Sequence, residues 1–161
     1  MKIEKKSYYF IKDNFFKFIN DSFLLCNKEN GHGRPCLLIE ASDNILWFIP
    51  ISSKIEKYRL LHKKKVSKYG FCNTIIFGTL FNKECVFLLQ NLFPVTEKYI
   101  KTIYLDRIKK EPVSIEDKLF NDIYCKFYQI IELVRKGNKN IVFPDILEIE
   151  RKLFEDLHKE E

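Results

Sequence analysis

The apolar positions change period once along this chain, about 50 residues before its last residue, and the change separates a strand-rich part from a helical part. Residues 7–11 (SYYFI) read as a first strand. Residues 13–19 (DNFFKFI) follow with Phe15, Phe16 and Ile19 at helical spacing behind Asp13, a candidate cap. A polar loop, 27–33 (NKENGHG), leads to two apolar runs, 36–40 (CLLIE) and 45–51 (ILWFIPI). Ser42-Asp43-Asn44 joins them, which predicts a hairpin. A second hairpin is expected from 74–81 (TIIFGTLF) and 85–89 (CVFLL) around Asn82-Lys83-Glu84, and 93–95 (FPV) starts another extended piece.

Beyond this the period becomes about 3.6. Ser114-Ile115-Glu116-Asp117, behind Pro112, resembles a capping box. Ile115, Leu119, Ile123, Phe127, Ile130 and Val134 then stripe one helical face until Gly137 stops it. A last helix is expected from near Asp145 to Leu157, with Ile146, Leu153 and Leu157 inward. No repeat or low-complexity segment interrupts the pattern. The expectation is an α+β fold: a small antiparallel sheet forming a partly closed barrel, then two helices, as one domain over residues 1–161.

Composition adds a partner to this picture. Apolar residues make up 46% and charged residues 31%, the balance of a globular rather than a disordered chain. The net charge is +6, but residues 145–161 hold seven acids and three bases, leaving 25 bases against 15 acids in residues 1–144. A body that basic attracts polyanions, and nucleic acid is the commonest of them. A membrane surface is the rival, but no run of 18 apolar residues and no basic-then-apolar signal segment is present, so a cytoplasmic location is expected. Five cysteines without a CxxC spacing read as small buried residues in a reducing compartment, not as a zinc or disulfide framework.

Three polar clusters flank the apolar strands: Tyr8 and Tyr9; His32-Gly33-Arg34 before Pro35; and Ser52-Ser53-Lys54 after Pro50-Ile51. The last two flank one hairpin and could share a cleft. Each also has a structural reading. Strand alternation makes one of the two tyrosines core. His32 fits a solvated loop and Arg34 a surface charge, while Ser52-Ser53 fits a cap for a helix beginning at Lys54. Taken together they suit attack of an RNA 2′-OH on its neighbouring phosphorus. That reaction needs a proton acceptor, donors for the phosphoryl oxygens and an acid for the departing 5′ oxygen. Arg binds phosphate bidentately, and hydroxyls add donors. No acidic cluster or histidine set suggests a metal nuclease, and GxxxxGK[ST] and GxGxxG are both absent.

An aromatic strand near the start, a basic loop residue before RPCLLIE (34–40), the segment WFIPISSKIEK (47–57) and two C-terminal helices occur in the order found in a known family. The chain resembles the endoribonuclease toxins of type III toxin–antitoxin systems, the ToxN/AbiQ/CptN (TenpN) family, and is most similar to its CptN-like branch. The PISSK-type segment is the most specific piece. The resemblance implies an SH3-like, MazF/Kid-type barrel with added helices. It implies metal-independent, sequence-selective RNA cleavage to 2′,3′-cyclic phosphate and 5′-OH ends, without a cofactor. The implied substrate is cellular or phage RNA, in phage defence by abortive infection. The implied partner is a structured antitoxin RNA, processed from a tandem-repeat precursor and held as an inhibitor in an RNA-bridged hetero-oligomer.

The candidate catalytic set is Arg34, Ser52, Ser53, Lys54, His32, Tyr8 and Tyr9, of which His32 enters for the ordinary pKa of its imidazole and is not assigned by the resemblance. Arg34 stands where the family often has Lys. Because Arg does not readily give up a proton, it is cast as phosphoryl stabiliser, with proton transfer left to His32, Lys54 or a Tyr.

Residues 54–68 carry seven Lys and Arg, with His62 as an eighth base. Lys57, Arg59, Lys63, Lys64, Lys65 and Lys68 are expected to bind the RNA backbone, although an ordinary solvated segment fits the same pattern. A non-catalytic RNA- or DNA-binding module is the alternative from another class. A barrel-type toxin with a protein antitoxin is a third.

Overall fold

A computed structural model describes residues 2–27 and 33–160 of the chain. The apolar runs become β1 (Tyr8–Ile11), β2 (Cys36–Ser42), β3 (Ile45–Ser52), β4 (Ile75–Leu80), β5 (Lys83–Leu88), β6 (Phe93–Val95) and β7 (Ile100–Ile103). The helices are α1 (Asp13–Ile19), α2 (Ile55–Tyr69), α3 (Asp117–Arg135) and α4 (Ile146–Lys159). No helix among the described residues is long and apolar enough to cross a membrane.

One antiparallel sheet holds all seven strands, in the order β4-β5-β3-β2-β1-β7, with β6 added on β3. It is open, which corrects the expected partly closed barrel. The end strands β4 and β7 share no ladder; the chain just beyond each supplies an aromatic ring instead. Phe81 after β4 and Tyr104 after β7 meet edge-on, with centroids 5.7 Å apart. A side-chain contact thus spans the place where backbone bonds would close a barrel.

β3 organises the sheet. Over residues 45–50 it pairs with β2, from Ser42↔Ile45 to Cys36↔Pro50. Its first half also pairs with β6, at residues 46–48, and its end pairs with β5 through Ile51↔Phe87 and Ser52↔Val86. Pro50 falls between these last two partners. A proline has no N–H for a ladder and is normally kept out of central strands. Here the change of partner leaves a position that needs none. All eight β3 residues are buried, which is why ILWFIPIS reads as a continuous apolar run rather than an alternating one.

Helices cover the sheet. Phe127 of α3 meets Trp47, and Phe15 of α1 stacks on Phe93, which stacks on Phe48. The double hydrogen bond from Arg135 to Glu150 joins α3 to α4. α2 packs on the β4–β5 hairpin around a second small core of Tyr58, Ile75, Val86 and Leu88.

Several local expectations change. Ser114 does not cap α3 but bridges to Ser7, and the helix begins three residues later. Asp13 is the first residue of α1, and Lys12 takes the cap position. Asp145 does cap α4, accepting a bond from the Glu148 N–H. Leu157 is only half-buried, and Ile149 fills the inward position between Ile146 and Leu153.

β4 passes close to α3 at Gly78. A Cβ there would lie 2.6 Å from Leu119 Cδ2 and 2.8 Å from Phe87 Cε2. Gly78→Ala is therefore expected to destabilise the fold by about 1–3 kcal/mol through overpacking. Urea unfolding measures it, and a midpoint equal to that of the parent chain would contradict this close approach.

Candidate functional site

The change of partner at Pro50 sets the geometry of the site. Ser52 is the last residue of β3, and Ser53 and Lys54 lead directly into α2. Because β2 and β3 are antiparallel, the residues before β2 lie beside those after β3. Two bonds tie them: the Ile51 N–H donates to the Pro35 carbonyl at 3.3 Å, and Arg34 Nη1 donates to the Ile51 carbonyl at 3.3 Å. Asn27 anchors the loop. Its Nδ2 donates to the Ile11 carbonyl and Asp13 Oδ1 at 2.7 and 2.8 Å, and its Oδ1 accepts from the Arg34 N–H at 3.2 Å.

A cavity of about 380 Å³ opens between these segments and the gap in the sheet. One wall is formed by residues 33–35 and 51–54, and the other by the tip of the β4–β5 hairpin together with Tyr104. Arg34 is half-buried. Its Nε is fully covered and has no hydrogen-bond partner among the described residues, an uncommon condition that costs free energy unless a ligand satisfies it. Ser52 is buried, and its Oγ accepts from the Lys54 N–H at 3.2 Å, which leaves its own proton to donate. Ser53 and Lys54 are exposed at the rim. Lys54 takes the cap position of α2 and no side chain caps it, so neither serine is the expected helix cap.

The facing wall adds Lys83 and one carboxylate, Glu84. Arg59 binds that carboxylate at 2.6 Å, so it does not cancel the cavity's cations. Arg34, Lys54 and Lys83 thus place three cationic side chains along the cavity lining.

The structure gathers Arg34, Ser52, Ser53 and Lys54 from the residues expected to be catalytic. His32 lies outside the described residues. Tyr8 and Tyr9 are both wholly buried and do not line the cavity. Alternation would turn one of them outward, but β1 is an inner strand between β2 and β7 and both its faces are packed. Tyr9 accepts a bond from the Glu4 N–H at 2.9 Å. The Tyr8 hydroxyl has no partner; burial, with nearby Cys85, pushes its pKa well above the ordinary phenol value. Neither tyrosine is suited to accept a proton near neutrality.

Two of the five cysteines are buried, and burial pushes Cys36 up to about 12 and Cys85 up to about 11. Cys26 and Cys125 are exposed, contrary to the expectation for all five. Among the described residues no group of three or more His, Cys, Asp and Glu side chains could hold a metal ion.

The expected RNA-binding residues separate into two kinds. They lie on α2, a helix of 15 residues with only Tyr58 buried. Lys57, Lys63, Lys64 and Lys68 are exposed on it. Arg59 is held by Glu56 and Glu84. Lys65 is half-buried, and its Nζ donates to Thr74 Oγ1 and Gln90 Oε1, both at 2.9 Å. A larger cavity of about 510 Å³ sits at the far end of the β2–β3 hairpin, but its cation, Lys98, is already paired with Asp156 and Glu160.

Sequence reading missed the second wall. Phe81, Lys83 and Tyr104 reach the cavity only through the sheet order, and no local spacing marks them.

Lys65→Ala is expected to lower stability by about 1–3 kcal/mol, because the buried Gln90 oxygen loses its donor. Lys63→Ala should stay within about 0.5 kcal/mol of the parent. Thermal melts of the two variants compare them, and equal midpoints would return Lys65 to the free surface cations.

Neither a protein-family model nor a curated protein sequence matches this chain. Among solved structures, the fold is similar to that of AbiQ, a lactococcal anti-phage endoribonuclease belonging to the type III toxin–antitoxin system. The TM-score is 0.72 at 15% identity, over 98% of this chain and 100% of that one.

Proposed function

We propose that this chain is a metal-independent endoribonuclease toxin of the type III toxin–antitoxin kind. The observation that carries the reading is Arg34: among the described residues its guanidinium is tethered once, with a buried and unpartnered Nε, beside the hydroxyls of Ser52 and Ser53 and the ammonium of Lys54. The fold shared with AbiQ supports it, as does the basic α2 that begins at the cavity rim.

In this reading a phosphodiester enters the cavity with its phosphoryl oxygens against Arg34 and the serine hydroxyls. The 2′-OH attacks phosphorus, its proton is taken up, and the bond to the 5′ oxygen breaks as that oxygen gains a proton. The products are a 2′,3′-cyclic phosphate and a 5′-OH. Arg34, Ser52 and Ser53 stabilise charge on the equatorial oxygens, which changes most in the transition state. Proton transfer falls to His32 and Lys54, since both tyrosines are buried with raised pKa values. A structured antitoxin RNA from a tandem-repeat precursor is the proposed inhibitor, in an RNA-bridged assembly within the cytoplasm. The exposed lysines of α2 are proposed to take its backbone.

Incubation of purified protein with RNA in EDTA, followed by end-group analysis, tests the activity. Binding without any strand cleavage would leave a nucleic-acid-binding module in its place. Arg34→Ala should slow cleavage by about 100–1,000-fold, with Arg34→Lys intermediate because it keeps the charge but loses the fork. Ser53→Ala should slow it by about tenfold or more. Parent-like single-turnover rates would remove either residue from the site.

Replacing Lys63, Lys64 and Lys68 together by Ala should flatten the slope of log K against log salt for antitoxin RNA by about 2, at about 0.7 per phosphate contact on a single strand. Filter binding over a salt series reads this. An unchanged slope would show that these lysines only solvate the helix.

A further inference from the structure

One side chain at the cavity rim occupies backbone geometry that disfavours it. Only Phe81 and Asn82 join β4 to β5, between the paired Leu80 and Lys83. Both have positive φ, 54° and 62°. This is the geometry of two-residue hairpin turns usually filled by Asn, Asp and Gly. The β2–β3 hairpin makes its turn with Asp43 and Asn44, at 53° and 67°. A bulky aromatic in that region is an outlier, and such strain persists where the surroundings or the function hold it.

The surroundings hold Phe81 weakly. Tyr104 is its one ring partner among the described residues, and Phe81 stays 47% exposed. Phe81 lines the cavity that also holds Arg34, Lys54 and Lys83. An open aromatic surface beside cations is how proteins hold single-stranded nucleic acid: the cations take the phosphates and the ring takes a base.

We propose that Phe81, backed by Tyr104, is a stacking platform for the nucleobase adjoining the phosphate held by Arg34. It selects an unpaired nucleotide, because only a base splayed out of a helix offers its face to a ring. The identity of the ligand rests on the endoribonuclease reading, but stacking is a binding event and needs no cleavage.

A short, single-stranded, fully 2′-O-methylated RNA lacks the attacking hydroxyl and serves as the probe. 2-Aminopurine, whose fluorescence falls on stacking, replaces its purines one at a time. The parent chain is expected to quench one position on binding. Phe81→Leu keeps an apolar side chain without a ring; it should lose the quench and bind about tenfold more weakly. Phe81→Trp should restore both. Phe81→Asn suits the turn better, so it should melt no lower than the parent while still losing the quench, which separates stacking from folding.

Quench and affinity unchanged in Phe81→Leu would overturn the platform, and so would a parent chain that quenches no position at saturation. If the parent cuts natural RNA while Phe81→Leu binds and quenches like it, the platform falls and the nuclease reading stands. If the parent cuts none but the quench depends on Phe81, the nuclease reading falls and the platform stands.

Discussion

The site depends on β3 changing partners at Pro50. A strand with a different neighbour along each half must pass through a point where one edge makes no ladder bond, and a residue without an N–H occupies that point here. Past it, β3 leaves β6 and pairs with β5 for two residues before the chain turns into α2. This short final pairing places the Ser52 hydroxyl at the cavity floor and Ser53 and Lys54 at its rim. The antiparallel register with β2 then sets Arg34 beside them, without further instruction from the sequence. Asn27, with three hydrogen bonds to two parts of the chain, holds the loop that carries Arg34.

Charge alone would not single out Arg34 in a chain with 28 Lys and Arg residues. What distinguishes it is how many of its donors are spent. Arg59 gives both ends of its guanidinium to carboxylates, Arg135 forms a fork with Glu150, and Lys65 is used inside the fold. Among the described residues Arg34 makes one side-chain bond, to a backbone carbonyl, and meets no carboxylate. A half-buried cation without a counter-charge is costly unless an anion arrives. Such an arrangement favours a ligand that brings its own negative charge.

Much of the fold was legible because long apolar runs and a sustained helical stripe leave few alternatives. Residues 13–19 form the expected helix, and the extended piece expected from Phe93 is the three-residue β6. α2 was not legible as a helix of 15 residues, because a helix that buries only Tyr58 carries no stripe. β7 escaped notice because a register shift opposite Phe10 and Ile11 breaks its alternation. Phe81 looked like the end of a strand because it is apolar, yet it sits in the turn. Half of the site was legible for a topological reason: the residues flanking a hairpin must come together. The other half, Phe81, Lys83 and Tyr104, depends on which strands end the sheet, and single-sequence patterns do not carry that.

The acidic end of the chain completes the electrostatic picture. Its carboxylates are concentrated on α4 and just past it, where Glu150, Asp156 and Glu160 pair with Arg135 and Lys98. α4 packs beside β6, which lies along the half of β3 nearer the β2–β3 turn and away from the cavity. The acids therefore bind cations that serve the fold and leave the exposed lysines of α2 unopposed near the cavity. Exposed charges interact over about 8–10 Å at physiological salt. The field near the cavity rim is then set by the lysines of α2 more than by the net charge of +6 spread over the whole chain. That separation lets one small fold hold itself together with ion pairs and still keep a cationic helix beginning at the cavity rim.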